Sequence, residues 1–285
     1  MILSSRRRFL KMAGVAAAAG ALPLRAALTQ TTQEKREKAV LPFDLGIASY
    51  TFRMFTLDQA IAMTKRVGIR KLALKDVHLP LTSSPQEIAA VLAKMKDAGL
   101  TLSSCGVVYM KTEADVERAF AYARSAGLKM MVGAPDLSVL GAAERAVKAN
   151  DIALAIHNHG PTDDRFPSPE SAYRAVANMD KRMGLCIDVG HTERLGLDPA
   201  TEAERFFDRL LDIHIKDVSA ADAKGSTVEI GRGVIDIPNL LKTLMRLKYA
   251  GTLHIEHEKD ENDPLPGVAE SAGYLRGVLD ILYVK

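Results

Sequence analysis

The chain has 285 residues, 47% of them hydrophobic and 26% charged, which is enough apolar matter for one large core and excludes a disordered chain. Trp is absent and aromatic residues make up only 5%, which argues against a nucleic-acid reader built on stacking platforms. The formal charge of +3 comes from the N-terminus: residues 1–27 hold Arg6, Arg7, Arg8, Lys11 and Arg25 and no acid, so the rest has 38 − 5 = 33 basic against 35 acidic residues, a net of −2, with no global bias towards DNA, RNA or anionic lipid.

At the start, Ser5-Arg6-Arg7-Arg8-Phe9-Leu10-Lys11 resembles the twin-arginine (Tat) export motif. An Ala-rich apolar stretch, Met12 to Leu24, follows and is too short for a convincing membrane span. The expectation is a signal peptide over 1–27, cut near Ala26 or Ala27, a polar linker over 28–41, and export to the periplasm or an equivalent compartment. No lasting membrane anchor is expected after cleavage. Because the Tat route carries folded proteins, a metal site filled before export fits it.

From Pro42 onward, short apolar runs alternate with helical periodicity. Strands are predicted at 44–49, 70–75, 101–107, 129–133, 152–157, 183–188, 211–216 and 252–256. Helices are predicted over Leu57–Val67, Pro85–Ala98, Glu113–Ala126, Leu137–Ala149, Pro169–Ala177, Pro199–Leu210, Pro238–Leu247 and Val268–Tyr283. Thr112 with Asp115, and Ser168-Pro169-Glu170-Ser171, are helix starts; Gly68, Gly99 and Gly127 stand where helices end. Eight such units without a long break predict one α/β domain over 42–285, a parallel eight-stranded (β/α)8 TIM barrel. No GxGxxG follows the first strand, which weakens a doubly wound dinucleotide fold. The two cysteines, Cys105 and Cys186, fall on separate strands without CxxC spacing and read as small core residues.

Active sites of such barrels lie at the C-terminal ends of the strands. Four consecutive strands there end alike: Ile156-His157, Ile187-Asp188, Ile213-His214 and Ile255-Glu256. Alternation sends the aliphatic residues to the helix layer and aims two imidazoles and two carboxylates into the barrel. One inward His or Asp is usually a hydrogen-bonded core group. Four on adjacent strands are costly to bury unpaired, and a divalent metal explains them together. An N2O2 set suits Mn, Co, Zn, Fe or Mg better than a soft metal. Lys75, Asp76 and His78 end the second strand. Asn158, His159, His191, Lys216, Asp217 and Glu258 follow the ligands as candidate orienting groups, with surface salt bridges the alternative for Asp76, Asp217 and Glu258.

Over 43–283 the chain resembles the xylose isomerase-like barrels, in particular their sugar isomerase and epimerase branch. The resemblance rests on IHNHGP at 156–161, GLCIDVGHTERLG at 184–196, LDIHIKD at 211–217, VEIGRGVIDIPNLLKTL at 228–244 and LHIEHEKD at 253–260. It implies a single divalent metal, most often manganese, on His157, Asp188, His214 and Glu256. The fifth-strand position departs: many ketose epimerases carry Glu where this chain has His157, which puts a symmetric two-Glu proton transfer in doubt. Glu256, His159 or Lys75 is then the candidate catalytic base. His191, Lys216, Glu229 and Arg232 are candidate substrate contacts, with the glycines of 229–233 allowing close approach and Arg232 suited to bidentate bonding; a structural pair of Arg232 with Glu229 is equally open.

The implied chemistry is proton removal beside a sugar or polyol carbonyl, giving an enediolate whose reprotonation isomerises or epimerises the substrate. Expulsion of a β-substituent, as in a 3-keto-glycoside lyase, shares that intermediate. The exported location favours an unphosphorylated small carbohydrate as the partner molecule, with no nucleic acid and with homo-oligomerisation open. Two other classes stand beside this reading. A metal-dependent hydrolase of the abasic-site endonuclease type fits poorly with a net of −2, and a non-catalytic sugar-binding barrel fits poorly with four competent ligands.

Overall fold

The computed structural model describes residues 43–283; the predicted signal and linker lie outside them. In chain order the elements are β1 (Asp44–Ala48), α1 (Leu57–Arg66), β2 (Lys71–Leu74), α2 (Pro85–Asp97), β3 (Thr101–Cys105), β4 (Val108–Met110), α3 (Glu113–Ser125) and β5 (Met130–Pro135). There follow α4 (Leu140–Asn150), β6 (Ala153–His157), α5 (Pro169–Val176), β7 (Met183–Asp188), α6 (Val189–Glu193), α7 (Pro199–Arg205) and β8 (Leu210–Ile215). The last are β9 (Asp217–Val218), β10 (Thr227–Val228), α8 (Ile237–Arg246), β11 (Thr252–Ile255) and α9 (Leu265–Tyr283).

One parallel sheet runs β3-β2-β1-β11-β8-β7-β6-β5-β4. Its two outer members, β3 and β4, are halves of one strand bent at Gly106 and Val107. The lower half pairs with β2 and the upper half with β5. The sheet therefore closes on itself through the covalent chain, and the barrel expected from the sequence is present. The third strand was expected unbroken over 101–107; instead it bends and runs on to Met110.

Local chemistry explains most helix starts. The side chains of Thr56, Ser84, Thr112 and Ser168 each accept the backbone N–H three residues on, and their own backbone N–H donates to the side chain there, so four helices begin on capping boxes. Asp198 and Asp236 cap α7 and α8, each with Pro in the first turn. Gly68, Gly99 and Gly127 have φ of 70°, 76° and 66°, the left-handed stop expected of them. Two predicted helices are shorter than expected: 137–139 and 207–209 are 3-10 turns flanking α4 and following α7. Helix α6 and the β9–β10 hairpin were not foreseen.

The main core lies between sheet and helices. Ile47, Leu72, Leu154, Ile156, Ile213 and Leu253 are fully buried there, each worth roughly 1.5–3 kcal/mol of transfer free energy. Cys105 and Cys186 are free and buried, as expected of core residues. The barrel interior is polar by contrast. His254 Nδ1 lies 2.9 Å from Asp212 Oδ1, and its Nε2 lies 2.7 Å from Ser103 Oγ. This network satisfies polar groups that would otherwise be costly to bury.

Candidate metal centre

The four expected ligands stand at the C-terminal end of the barrel and converge. One ligand atom from each of His157, Asp188, His214 and Glu256 lies within 4.8 Å of the others. They do not share one row of the sheet: His157 is opposite Cys186, Asp188 is opposite His214, and His214 is opposite His254. Strand tilt brings these staggered positions to one height.

His157 Nε2 is 3.1 Å from His214 Nδ1 and 3.4 Å from Asp188 Oδ2, and His214 Nδ1 is 3.3 Å from Glu256 Oε2. Metal–ligand bonds of about 2.0–2.2 Å place neighbouring ligand atoms roughly 3–3.5 Å apart, so the residues present fit a small divalent ion. Asp188 Oδ2 points the same way: it is buried, lies near two cationic or polar nitrogens, and has no well-directed hydrogen bond. The other oxygen, Oδ1, accepts the His191 N–H at 2.8 Å and caps α6. Asn158 Oδ1 accepts the Asp188 N–H at 2.9 Å, and Thr192 Oγ1 donates to the Asp188 carbonyl at 2.7 Å. One carboxylate is thus fixed by its backbone and one oxygen, leaving the second for the site. Cys186 also approaches His157 and His214. Burial pushes its thiol well above the ordinary range, so the softer His157, Cys186 and His214 set lacks a thiolate.

Lys216 is the charge counterpart. Its Nζ is 3.0 Å from Asp188 Oδ2 and 2.7 Å from Glu256 Oε2, and it also pairs with Glu258. Burial opposes ionisation of Asp188 and Glu256, yet both are held well below the usual carboxylate range by Lys216 and neighbouring histidines. Lys216 is correspondingly held well above its usual value despite its burial, chiefly by Asp188 and Glu256. Its stem crosses α6 at Gly190, where a Cβ would come within 2.5 Å of Lys216 Cγ.

Around the rim, burial lowers His157 and His159 to about 4, so both are neutral at pH 7. His159 Nε2 is 3.0 Å from Tyr109 OH, and the rings stack at 5.7 Å. Tyr109 also faces Lys75 Nζ at 5.2 Å and the Arg165 guanidinium at 5.3 Å. Lys75 Nζ donates to the Val107 carbonyl at 2.6 Å. Tyr109 and Arg165 were not singled out by sequence; the extension of the third strand to Met110 is what puts Tyr109 on the mouth.

The remaining residues fall into two groups. His191 and Lys216 line a cavity beside the ligands. Glu229 is buried against Lys259 at 2.7 Å, and Arg232 pairs with Glu270 on α9 rather than with Glu229; neither is among the cavity's lining residues. Asp217 is no surface salt bridge. Fully buried, it accepts the N–H groups of Val218, Gly231, Gly233 and Ile235 at 2.9–3.2 Å and fastens the loop after β8. Glu258 is held by Lys216, while Asp76 is exposed, 3.7 Å from Lys75. His78 is bound to Ser49 and the Phe55 carbonyl and serves the scaffold.

The architecture and the ligand cluster define a class, and comparison with known proteins agrees. Residues 61–278 match the model of the xylose isomerase-like TIM barrel, and the chain belongs to that family. Residues 4–23 match the twin-arginine translocation signal, which marks the chain for Tat export; no helix among the described residues is long and apolar enough to cross a membrane. The rhizopine catabolism protein MocC of Rhizobium meliloti is 31% identical over 130 residues, 40% of this chain and 39% of MocC. Inosose dehydratase of Lacticaseibacillus casei is 25% identical over 153 residues, 47% of this chain and 51% of the dehydratase. The matches thus span about half or less of these relatives. The barrel superposes on a D-tagatose 3-epimerase-like protein with a TM-score of 0.69 at 18% identity, covering 84% of this chain and 98% of that one. That likeness is one of fold.

Proposed function

We propose that this protein is a divalent-metal-dependent enzyme that removes a proton beside the carbonyl of an unphosphorylated keto-sugar or polyol, as an isomerase or epimerase does. The observation that carries the reading is the convergence of His157, Asp188, His214 and Glu256 from four adjacent strand ends. An ion held by these residues, manganese first among the candidates, supplies Lewis-acid polarisation of a substrate carbonyl.

The chain's own groups divide the rest. Glu256, kept ionised by Lys216 and His214, is the candidate base on the β11 side. Lys75, Tyr109 and His159 gather on the other side of the mouth. The Tyr109 hydroxyl can give a proton there, and neutral His159 can accept one. Lys216 balances carboxylate charge during the reaction, and the Asp217-fastened loop holds the site's edge. His157 in place of the usual Glu makes the two sides chemically unlike, so one residue does not simply mirror the other.

A second reading, β-elimination from a 3-keto-glycoside or cyclic polyol, is favoured by the Tyr109–His159 pair, a ready donor to a leaving oxygen. The partial likeness to an inosose dehydratase supports it. The Tat signal supports action in the periplasm after removal of residues 1–27.

The test has two parts. Elemental analysis should give about one metal per chain, lost in a His214→Ala, Glu256→Ala double variant. The metal-loaded protein is then incubated with keto-sugars and 3-keto-glycosides in D2O. Deuterium entering beside the carbonyl supports proton transfer, and release of an aglycone with formation of an enone selects elimination. A parent that binds no metal after reconstitution with Mn, Co and Zn overturns the reading.

A further inference from the structure

A cavity of about 460 Å³ lies beside the ligand cluster, within the usual range for small-molecule sites. Lys216 and Glu258 join it to the ligands, Val228 brings the β9–β10 hairpin against it, and Arg194 and Lys259 add two further cations. His191 also lines it.

The three cations on its wall differ in their partners. Lys216 pairs with Asp188, Glu256 and Glu258, and Lys259 pairs with Glu229 and Asp260. Arg194 stands apart. Among the described residues it makes no ion pair; its one directed contact is from Nη2 to the Ala223 carbonyl at 3.0 Å. Its Nε is buried without a partner. Other arginines of the mouth differ: Arg53 pairs with Glu261, Arg165 with Asp136, and Arg232 with Glu270. A guanidinium left unpaired on a cavity wall is a receptor for a planar anion, because its donors match a carboxylate two at a time.

We propose that the substrate is an acidic carbohydrate, with a carboxylate remote from the reacting carbons, and that Arg194 receives that carboxylate in the cavity under the β9–β10 hairpin. The proposal rests on the reading of the mouth as a carbohydrate site. It narrows the substrate from sugars in general to uronate-type sugars or their glycosides, and it makes Arg194 a specificity-determining residue.

The test compares two probes that differ only in the acid group: methyl β-D-glucuronide and methyl β-D-glucoside. Neither has a keto group, so calorimetry reads binding rather than turnover. The manganese-loaded protein should bind the glucuronide about ten-fold more tightly than the glucoside, a typical gain for a charge-assisted contact. The preference should shrink as salt is raised. Arg194→Gln should bring the two affinities within about two-fold of each other, and Arg194→Lys should keep part of the difference. Equal affinities in the parent, a preference that survives in Arg194→Gln, or no binding of either probe overturns the proposal. Metal content is measured on the same samples. Its absence overturns the proposed function without altering what the paired affinities say of Arg194.

Discussion

The two halves of the barrel mouth are built differently. The half formed by β6, β7, β8 and β11 is charged and buried, with His157, Asp188, His214, Lys216 and Glu256 packed under the surface. The half formed by β1 to β5 presents four large apolar residues to solvent, Met54, Val77, Tyr109 and Leu137, against Val234 in the loop after β8. The first half is organised to hold charge at fixed distances. The second offers ring and side-chain surface and a few donors, Lys75 among them. One scaffold can thus hold a demanding charge constellation at fixed distances while its opposite wall offers surface of a different kind.

This contrast can be broken at several points. The largest effect is expected at the charged half: His214→Ala should lower the activity of the metal-supplemented protein by about 10³-fold or more, read as kcat/KM beside elemental analysis. Retained metal with normal turnover would remove the distinction between the halves. Next comes a scaffold residue, Arg209. It is buried and donates to the carbonyls of Ala177, Met179, Asp180 and Met183, with no acid as partner among the described residues. Arg209→Met should cost roughly 3 kcal/mol by leaving carbonyls unpaired, measured by urea denaturation, while metal content stays at the parent level.

Lys216→Met sharpens the comparison within the charged half. It leaves Asp188, Glu256 and Glu258 facing one another without their ammonium. The metal-free protein should lose about 3 kcal/mol of stability and the metal-loaded protein clearly less, seen as a wider gap between the two melting temperatures. On the apolar half, Tyr109→Phe removes the hydroxyl 3.0 Å from His159 Nε2. Activity should fall by about ten-fold or more, with metal content unchanged; an unaltered rate would leave the phenol without a part in proton transfer.

The smallest effect is that of pH on the metal-free fold. His78, His157, His159, His191 and His257 are all lowered, in each case mainly by burial. Their unfolded values lie near 6.5, and His157 and His159 fall to about 4, so in that window the unfolded chain binds more protons at these groups than the folded one. Stability from these groups is complete above about pH 6.5 and declines as pH falls towards 4. His214 is raised, despite its burial, by Glu256 and acts in the opposite sense. The denaturation midpoint should therefore drop between pH 7 and 4.5. A midpoint that rises instead would mean that His214 outweighs the other five.

The alternation of Ile with His, Asp or Glu made the convergence of His157, Asp188, His214 and Glu256 legible, because a pleated strand sorts its side chains by parity alone. The helix starts were equally readable, since a capping box is a local device complete within four residues. What escaped was non-local. The bend at Gly106 depends on which neighbour each half of the strand pairs with, and with it went Tyr109. The partner of Arg232 is set by where α9 docks, which no spacing in 228–244 reveals. Arg194 sits inside the family-like stretch 184–196, yet its lack of an acid partner among the described residues is a property of the assembled loops. For Asp217 the sequence leaves an orienting group and a surface charge both open; only the fold of 229–235 around it shows it as a buried acceptor.

That fold has a consequence for how such a barrel changes over time. Asp217 ties both ends of the excursion after β8, binding Val218 at its departure and Gly231, Gly233 and Ile235 at its return. The segment between, 219–226, hangs from this clasp. Its length and sequence can be exchanged while His214, two residues before Lys216 on the fixed strand, keeps its place. The hairpin that roofs the cavity is in this sense a replaceable part, and new substrates can be tried there without reopening the chemistry below.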